Sequence, residues 1–429
     1  MSNVHKVVEH LFRQESGKLA SSLARAFGLS KLGTVEDIVQ DTLLAALNTW
    51  SFRGIPENPT AWLHRVAKNK AIDWIRRRSI EPQKLDEMLP GMGAASATLN
   101  FEQNFLDWEI GDSQLRMMFA CCHPGIPEES QIALILKTLC GFSVREIASA
   151  FFTQEATIEK RLGRARKYFR DHHVEFEVPS REAVHERLET VLRSLYLLFN
   201  EGYKRSGSDG LINHDLCLEA LRLALLLADH PEFATSESRA LVALMSFHAA
   251  RFDSRTRQTG EIVLLPDQDR SLWNKDLISM GFYYFHRSGT DDLSSTYHIE
   301  AGIQSVHLAA PSFEETNWAA ILGLYKRLYA MNPSPVVKMH MAVSVSKVHG
   351  PEVAVDMLKG DPLPEYYLYH AILADALEQA GRKEEASASF THAAELTLNT
   401  NEKRLFLYRA EKLGDQIGKN YSKVKNISH

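Results

Sequence analysis

The stretch from Gly141 to Arg170, GFSVREIASAFFTQEATIEKRLGRARKYFR, constrains the fold more than any other, because nearly every position in it has a face to occupy. Ser143 followed three residues later by Glu146 predicts a capping box, which opens a helix running to about Phe151. Phe152 and Thr153 then make a short turn. In the second helix Ile158, Leu162, Ala165 and Phe169 recur at spacings of four, three and four, which is one inward apolar stripe. Thr157, Lys160, Arg161 and Arg164 fall on the opposite face, and Lys167 and Arg170 extend its positive charge. Two helices joined this tightly predict a helix-turn-helix. Its second helix suits the major groove of DNA, where Arg and Lys donate to guanine edges and to phosphates. On this segment alone, a solvated basic face on an ordinary amphipathic helix remains the alternative.

The rest of the chain must then supply more than one domain, since it has 429 residues and 45% hydrophobic content. A net charge of -5 excludes a uniformly basic coat, so attraction to nucleic acid has to come from local patches. Besides the helix just described, Arg65, Lys68, Lys70, Arg76, Arg77 and Arg78 form such a patch, offset by Asp73. Cys121, Cys122, Cys140 and Cys217 have neither disulfide-framework nor metal-ligand spacing. Cys121, Cys122 and His123 lack a second ligand pair, so buried thiols in a reducing cytoplasm are expected, with no metal and no cofactor. No signal-peptide pattern opens the chain. The most apolar run, Leu216 to Ala228, is too short to span a membrane and carries Glu219 and Arg222.

Periodicity predicts an all-α protein. Residues 1–80 read as a small helical domain. Residues 81–110 read as a linker, with Pro82, Pro90, Gly91 and Gly93 and no sustained apolar period. Residues 111–172 hold the helix-turn-helix, and a joint at Val178, Pro179 and Ser180 leads into helical residues 180–429. In that last part Ala320, Ala354 and Ala386 are separated by 34 and 32 residues, each followed four residues on by Leu324, Leu358 or Phe390. This is tetratricopeptide-like spacing, which predicts stacked helix pairs with a concave partner surface. A plain helical bundle is the alternative.

Two segments of the first domain carry distinct chemistry. In VEDIVQDTLLAALNTW, Asp37, Gln40, Asp41 and Leu44 lie at i, i+3, i+4 and i+7, one mostly acidic stripe on a helix. In NPTAWLHRVAKNKAIDWIRRRS, Trp62 and Trp74 alternate with cations, a composition suited to single-stranded nucleic acid, although Trp74 reads mainly as core. Together these motifs resemble the sigma factors of bacterial RNA polymerase, in the compact extracytoplasmic-function group of the sigma-70 family. The first segment resembles the family's core-polymerase-binding helix and the second its promoter-melting and minus-ten-reading helix. Residues 121–170 resemble the domain that reads the minus-thirty-five element. SLYLLFNEGY, DLCLEALRLALLL and LLPDQDRSLW resemble the helical extension of one subgroup.

The resemblance implies a non-catalytic specificity subunit whose partners are core RNA polymerase and promoter DNA. It implies that Asp37, Gln40, Asp41 and Leu44 bind polymerase, and that Arg65, Asn69, Lys70, Arg76 and Arg77 engage the minus-ten region. Thr157, Lys160, Arg161 and Arg164 would read the upstream element, with Lys167 and Arg170 on phosphates. The loop from Trp50 to Pro59 would hold an extruded base. Asp86, Glu87, Glu102, Asp107 and Glu109 would make the linker acidic. The fused extension is expected to regulate in cis and to offer its repeats to a regulatory protein or ligand, with Asp267, Gln268, Asp269, Arg270 and Trp273 as a contact cluster. A DNA-binding regulator with tetratricopeptide sensor repeats would explain the helix-turn-helix and the repeats but not the first domain. A catalytic reading would have to use His286, His298 and His307, for which no nucleophile–base–orienter spacing exists.

Overall fold

A computed structural model describes residues 3–79, 107–151, 153–176, 181–204, 214–255, 257, 262–289 and 295–427. Most of the expected linker, with Asp86, Glu87 and Glu102, lies outside the described residues, as do Phe152 and the joint at Val178, Pro179 and Ser180. The regular elements described are α-helices and short 3-10 turns. They fall into two compact units, residues 1–201 with 229–233 and residues 202–228 with 234–429. The division comes at Glu201, whereas the sequence suggested Ser180.

In the first unit, α1 (Asn3–Phe27), α2 (Leu32–Arg53) and α3 (Pro59–Ser79) enclose Leu19, Leu23, Phe27, Val35, Trp50, Leu63 and Ile75. Gly28, at φ 76, turns the chain between α1 and α2 in a backbone region that favours glycine. Then follow α4 (Asp107–Cys121), α5 (Glu128–Thr138), α6 (Val144–Ala150), α7 (Glu155–Asp171) and α8 (Arg181–Lys204). Asp107 and Glu109, expected in the linker, already belong to α4. That helix packs along α1, burying Leu115, Met117, Met118 and Phe119, so the two expected N-terminal domains form one body. Gly17 of α1 makes the approach possible: a Cβ there would sit 1.9 Å from the Leu139 carbonyl oxygen at the end of α5.

The second unit contains α9 (His214–Ala228), α10 (Ser236–Ala249), α11 (Lys275–Arg287), α12 (Thr296–Ala309), α13 (Trp318–Met331), α14 (Pro335–His349), α15 (Pro351–Lys359), α16 (Tyr367–Gln379), α17 (Lys383–Leu396) and α18 (Thr400–Ile427). α12/α13, α14/α15 and α16/α17 stack as successive pairs, and α18 closes the row. Ala320, Ala354 and Ala386 each lie on the second helix of a pair. Ala354, Leu358, Ala386 and Phe390 are buried between helices, whereas Ala320 and Leu324 are only half-buried.

Candidate nucleic-acid interface

The helix-turn-helix forms as its residues dictate. Ser143 N–H donates to Glu146 Oε2 at 2.8 Å and Glu146 N–H donates to Ser143 Oγ at 3.2 Å, closing the capping box at the start of α6. α7 buries Ile158, Leu162, Ala165 and Phe169 almost completely. That leaves Lys160, Arg164, Lys167 and Arg170 exposed and Thr157 half-buried on the outer side. Arg161 differs from its neighbours: its guanidinium donates to Glu129 Oε2 on α5 at 2.5 Å. A carboxylate already holds this side chain, so it is less free to meet a base than Lys160 or Arg164.

On α2, Val35, Ile38, Val39, Thr42 and Ala46 face the core, which turns Asp37, Gln40, Asp41 and Leu44 to solvent. Leu44 is 56% exposed, an apolar side chain at the end of an acidic stripe. On α3, Leu63, Ala67, Ala71 and Ile75 are buried at intervals of four. Trp62 meets Trp50 edge-on at 5.3 Å and Trp74 meets Phe27 at 5.1 Å, so both tryptophans are used in packing and neither is presented as a stacking platform. The outer face of α3 keeps Arg65, Asn69, Arg76 and Arg77 exposed. Lys70 leans instead towards α2, with Nζ 4.0 Å from Asp41 Oδ2, and joins the basic face of one helix to the acidic stripe of the other.

Sequence reasoning placed Phe52 in the base-holding loop from Trp50 to Pro59 without singling it out, and the first four residues of that segment are helical. α2 continues through Arg53 and ends at Gly54, at φ 80, leaving the Phe52 ring 91% exposed beside the loop that runs to Pro59. An aromatic residue two positions before a helix-ending glycine was the available signal. An exposed ring at such a position offers the stacking surface that an unstacked base needs.

The two basic faces belong to one body, and an ion pair holds them there. Arg166 on α7 donates to Glu36 Oε2 on α2 at 2.5 Å. Glu36 Oε1 and Arg166 Nε are buried without hydrogen-bond partners among the described residues. Burial pushes the Glu36 carboxyl above its ordinary range, against the pull of Arg166 and Lys137. Asp37 and Gln40 of the acidic stripe line the adjoining cleft of about 410 Å³, together with Glu159, Leu162 and Arg166 of α7.

Other candidate chemistry is absorbed by structure. Cys121 lies 3.5 Å from Thr138 Oγ1 and Cys122 lies 3.7 Å from Ser194 Oγ. Burial pushes the Cys121 thiol up to about 12 and raises those of Cys122 and Cys217 as well. Among the described residues, no group of three His, Cys, Asp or Glu side chains is arranged to hold a metal ion. No described helix is long and apolar enough to cross a membrane. His298 is buried against Ser236, Ser295 and the Ser288 carbonyl, His286 is exposed on α11, and His307 stands nine residues along α12 from His298, about 13 Å away.

In the proposed contact cluster only Asp267 and Asp269 are exposed. Trp273 donates to Ser254 Oγ at 3.0 Å, Gln268 Oε1 accepts from Ser254 Oγ at 3.2 Å, and Arg270 donates to the carbonyls of His307 and Ala310. These three side chains bind the segment to its own unit.

Comparison with known proteins agrees with this geometry. Residues 12–80 match sigma-70 region 2, residues 116–168 match sigma-70 region 4, and residues 187–289 match a family of unknown function, DUF6596. An uncharacterized protein of Rhizobium meliloti is 36% identical over 375 residues, covering 86% of this chain and 88% of the relative. The ECF RNA polymerase sigma-E factors of Salmonella typhimurium and Escherichia coli are each 30% identical over 142 residues, covering 32% of this chain and 71% of those proteins. No solved structure matches the chain.

Proposed function

Because this chain belongs to the extracytoplasmic-function sigma factors of the sigma-70 family, a generally non-enzymatic group, we propose how its own residues divide the work of a sigma factor. It acts with core RNA polymerase to direct promoter-specific initiation, in the cytoplasm and without a catalytic step of its own. Asp37, Gln40, Asp41 and Leu44 dock on the polymerase. Arg65, Asn69, Arg76 and Arg77 hold the minus-ten region, with Lys70 relaying between the two surfaces and Phe52 stacking on an extruded base. Lys160 and Arg164 read the upstream element, assisted by Thr157 and by Arg161 once it leaves Glu129, and Lys167 and Arg170 hold phosphates. The fused extension modulates this activity.

The observation that carries the reading is the exposed stripe on α2, where Leu44 stands uncovered beside Asp37, Gln40 and Asp41. An apolar anchor rimmed by charge is the pattern of a binding surface, because burying the leucine provides affinity while the charges fix orientation. In the closed unit the stripe borders α7. Promoter elements centred about 25 base pairs apart are separated by about 85 Å of duplex at 3.4 Å per step. A compact body of roughly 200 residues is only about 45 Å across. Reading both elements at once therefore requires α7 to leave α2, with loss of the Glu36–Arg166 pair.

The direct test is co-elution of the full chain with core polymerase in size-exclusion chromatography. Wild type is expected to co-elute and an Asp41→Lys, Leu44→Arg double variant to separate from it. Equal co-elution of the two would remove the stripe from the account.

A further inference from the structure

The extension carries a groove of about 1440 Å³, lined by residues of α12, α13, α14, α16 and α18. This exceeds the roughly 300–1,000 Å³ typical of small-molecule pockets and suits a length of peptide. Its walls are partly apolar, with Val343 on α14 38% exposed. On α18, Arg404, Tyr408 and Lys412 follow one another at intervals of four, so all three lie on one face, and Tyr408 is 62% exposed.

The charges of the groove do not cancel. Asp375 and Glu378 are both held by Arg409. Lys347 lies 3.4 Å from the Gln379 amide oxygen and 5.5 Å from the ring of Phe313, and its charge also acts on Asp375. Among the described residues no carboxylate lies within salt-bridge distance of Lys347, Arg404 or Lys412. Against these three cations the lining has one further acid, the exposed Asp267. A local positive excess in a chain of net charge -5 favours a negatively charged partner.

We propose that this groove captures an extended acidic peptide segment of a partner protein. Its carboxylates meet Lys347, Arg404 and Lys412, and an apolar or aromatic side chain lies between Val343 and Tyr408. Arg404 and Lys412 stand about 12 Å apart along the helix, a distance that an extended chain crosses in about four residues, so the recognised acids are spaced three to four apart. A peptide fits better than a nucleic acid, because the carboxylates of Asp375 and Glu378 in the lining oppose a continuous phosphate backbone while an intermittently charged chain can step past them. The inference concerns the extension alone and does not depend on the promoter-reading role.

The test is panning of a phage-displayed random dodecapeptide library on the immobilised full chain, followed by fluorescence anisotropy with the enriched peptides. Enriched peptides are expected to combine spaced Asp or Glu with an apolar or aromatic residue and to compete with one another. Affinity should fall at least tenfold in an Arg404→Glu, Lys412→Glu double variant, and also in Tyr408→Ala. All three side chains are exposed, and circular dichroism will verify that the variants stay folded. Absence of enrichment, enrichment of peptides without acids, affinity unchanged in the double variant, or tighter binding of a twelve-nucleotide single-stranded DNA would each overturn the proposal.

Discussion

Replacing Gly17 by alanine should strengthen binding to core polymerase, although Gly17 is not part of the acidic stripe. The added Cβ would lie 1.9 Å from the Leu139 carbonyl oxygen, 2.7 Å from its carbon and 3.0 Å from its Cα. Every obstructing atom is backbone, so no rotamer change relieves the clash, and the end of α5 must retreat from α1 by more than 1 Å. Overpacking of this kind costs about 1–3 kcal/mol, and the rigidity of both partners favours the upper half of that range. The penalty falls on the closed arrangement alone, because α1 and α5 no longer touch at Gly17 once α7 has left α2. Where the closed form dominates, the observed affinity is the intrinsic affinity multiplied by the open fraction. A penalty of about 2 kcal/mol therefore raises affinity roughly 30-fold. Titration of labelled core polymerase with wild type and Gly17→Ala measures this. Hydrogen exchange at residues 32–40 and 160–168 should increase in parallel. Arg166→Met, which removes the partner of Glu36 without touching α1, should move both observables the same way. Unchanged or weaker affinity in two variants of native helical content would refute the reasoning.

Phe52→Ala should leave stability intact, because the ring is 91% exposed, yet slow strand opening through loss of about 1–3 kcal/mol of base stacking; permanganate footprinting of the melted region would detect this. Arg164→Ala should alter promoter preference by about 1–3 kcal/mol at a single position, whereas Lys167→Ala should weaken all promoters alike and lower the salt slope by about 1, as measured by filter binding of the polymerase complex across a promoter library. Burial, with Arg251 and Arg270 nearby, holds His307 down to about 4 against an unfolded value near 6.5. Since the unfolded chain binds the proton more readily, this contribution to stability is complete above pH 6.5 and declines as pH falls towards 4, by about 1.4 kcal/mol per unit. The urea midpoint of His307→Asn should accordingly change less between pH 7 and pH 5 than that of wild type, and identical pH slopes would count against it.

What the sequence made legible was local. The stripe of Ile158, Leu162, Ala165 and Phe169 and the capping box at Ser143 follow from helix period and backbone hydrogen bonding, and the structure reproduces both. Asp37, Gln40, Asp41 and Leu44 share a face for the same reason. Long-range pairings were not legible. Nothing in the neighbourhood of Arg166 names Glu36, and nothing near Arg161 names Glu129, because such contacts depend on how separate helices pack. Proline and glycine between residues 81 and 110 suggested separation of two domains, but those residues report only on local backbone and not on whether Gly17 lets α1 approach Leu139. Gln268, Arg270 and Trp273 looked like a surface cluster by composition. Polar side chains among aromatics also suit internal hydrogen bonds, and these three make them. Phe52 fell within the segment from Trp50 to Pro59 read as a loop, whereas the structure places it on the last turn of α2 with its ring exposed.

The central claim is that the two DNA-facing surfaces act only when carried by polymerase. Footprinting of purified chain on a promoter selected with core enzyme tests it most directly. The account predicts no protection by the chain alone and, on adding core polymerase, protection over both the minus-thirty-five and minus-ten elements with specific transcript. Specific protection by the chain alone, unaltered by core enzyme, would contradict it and identify an autonomous DNA-binding regulator.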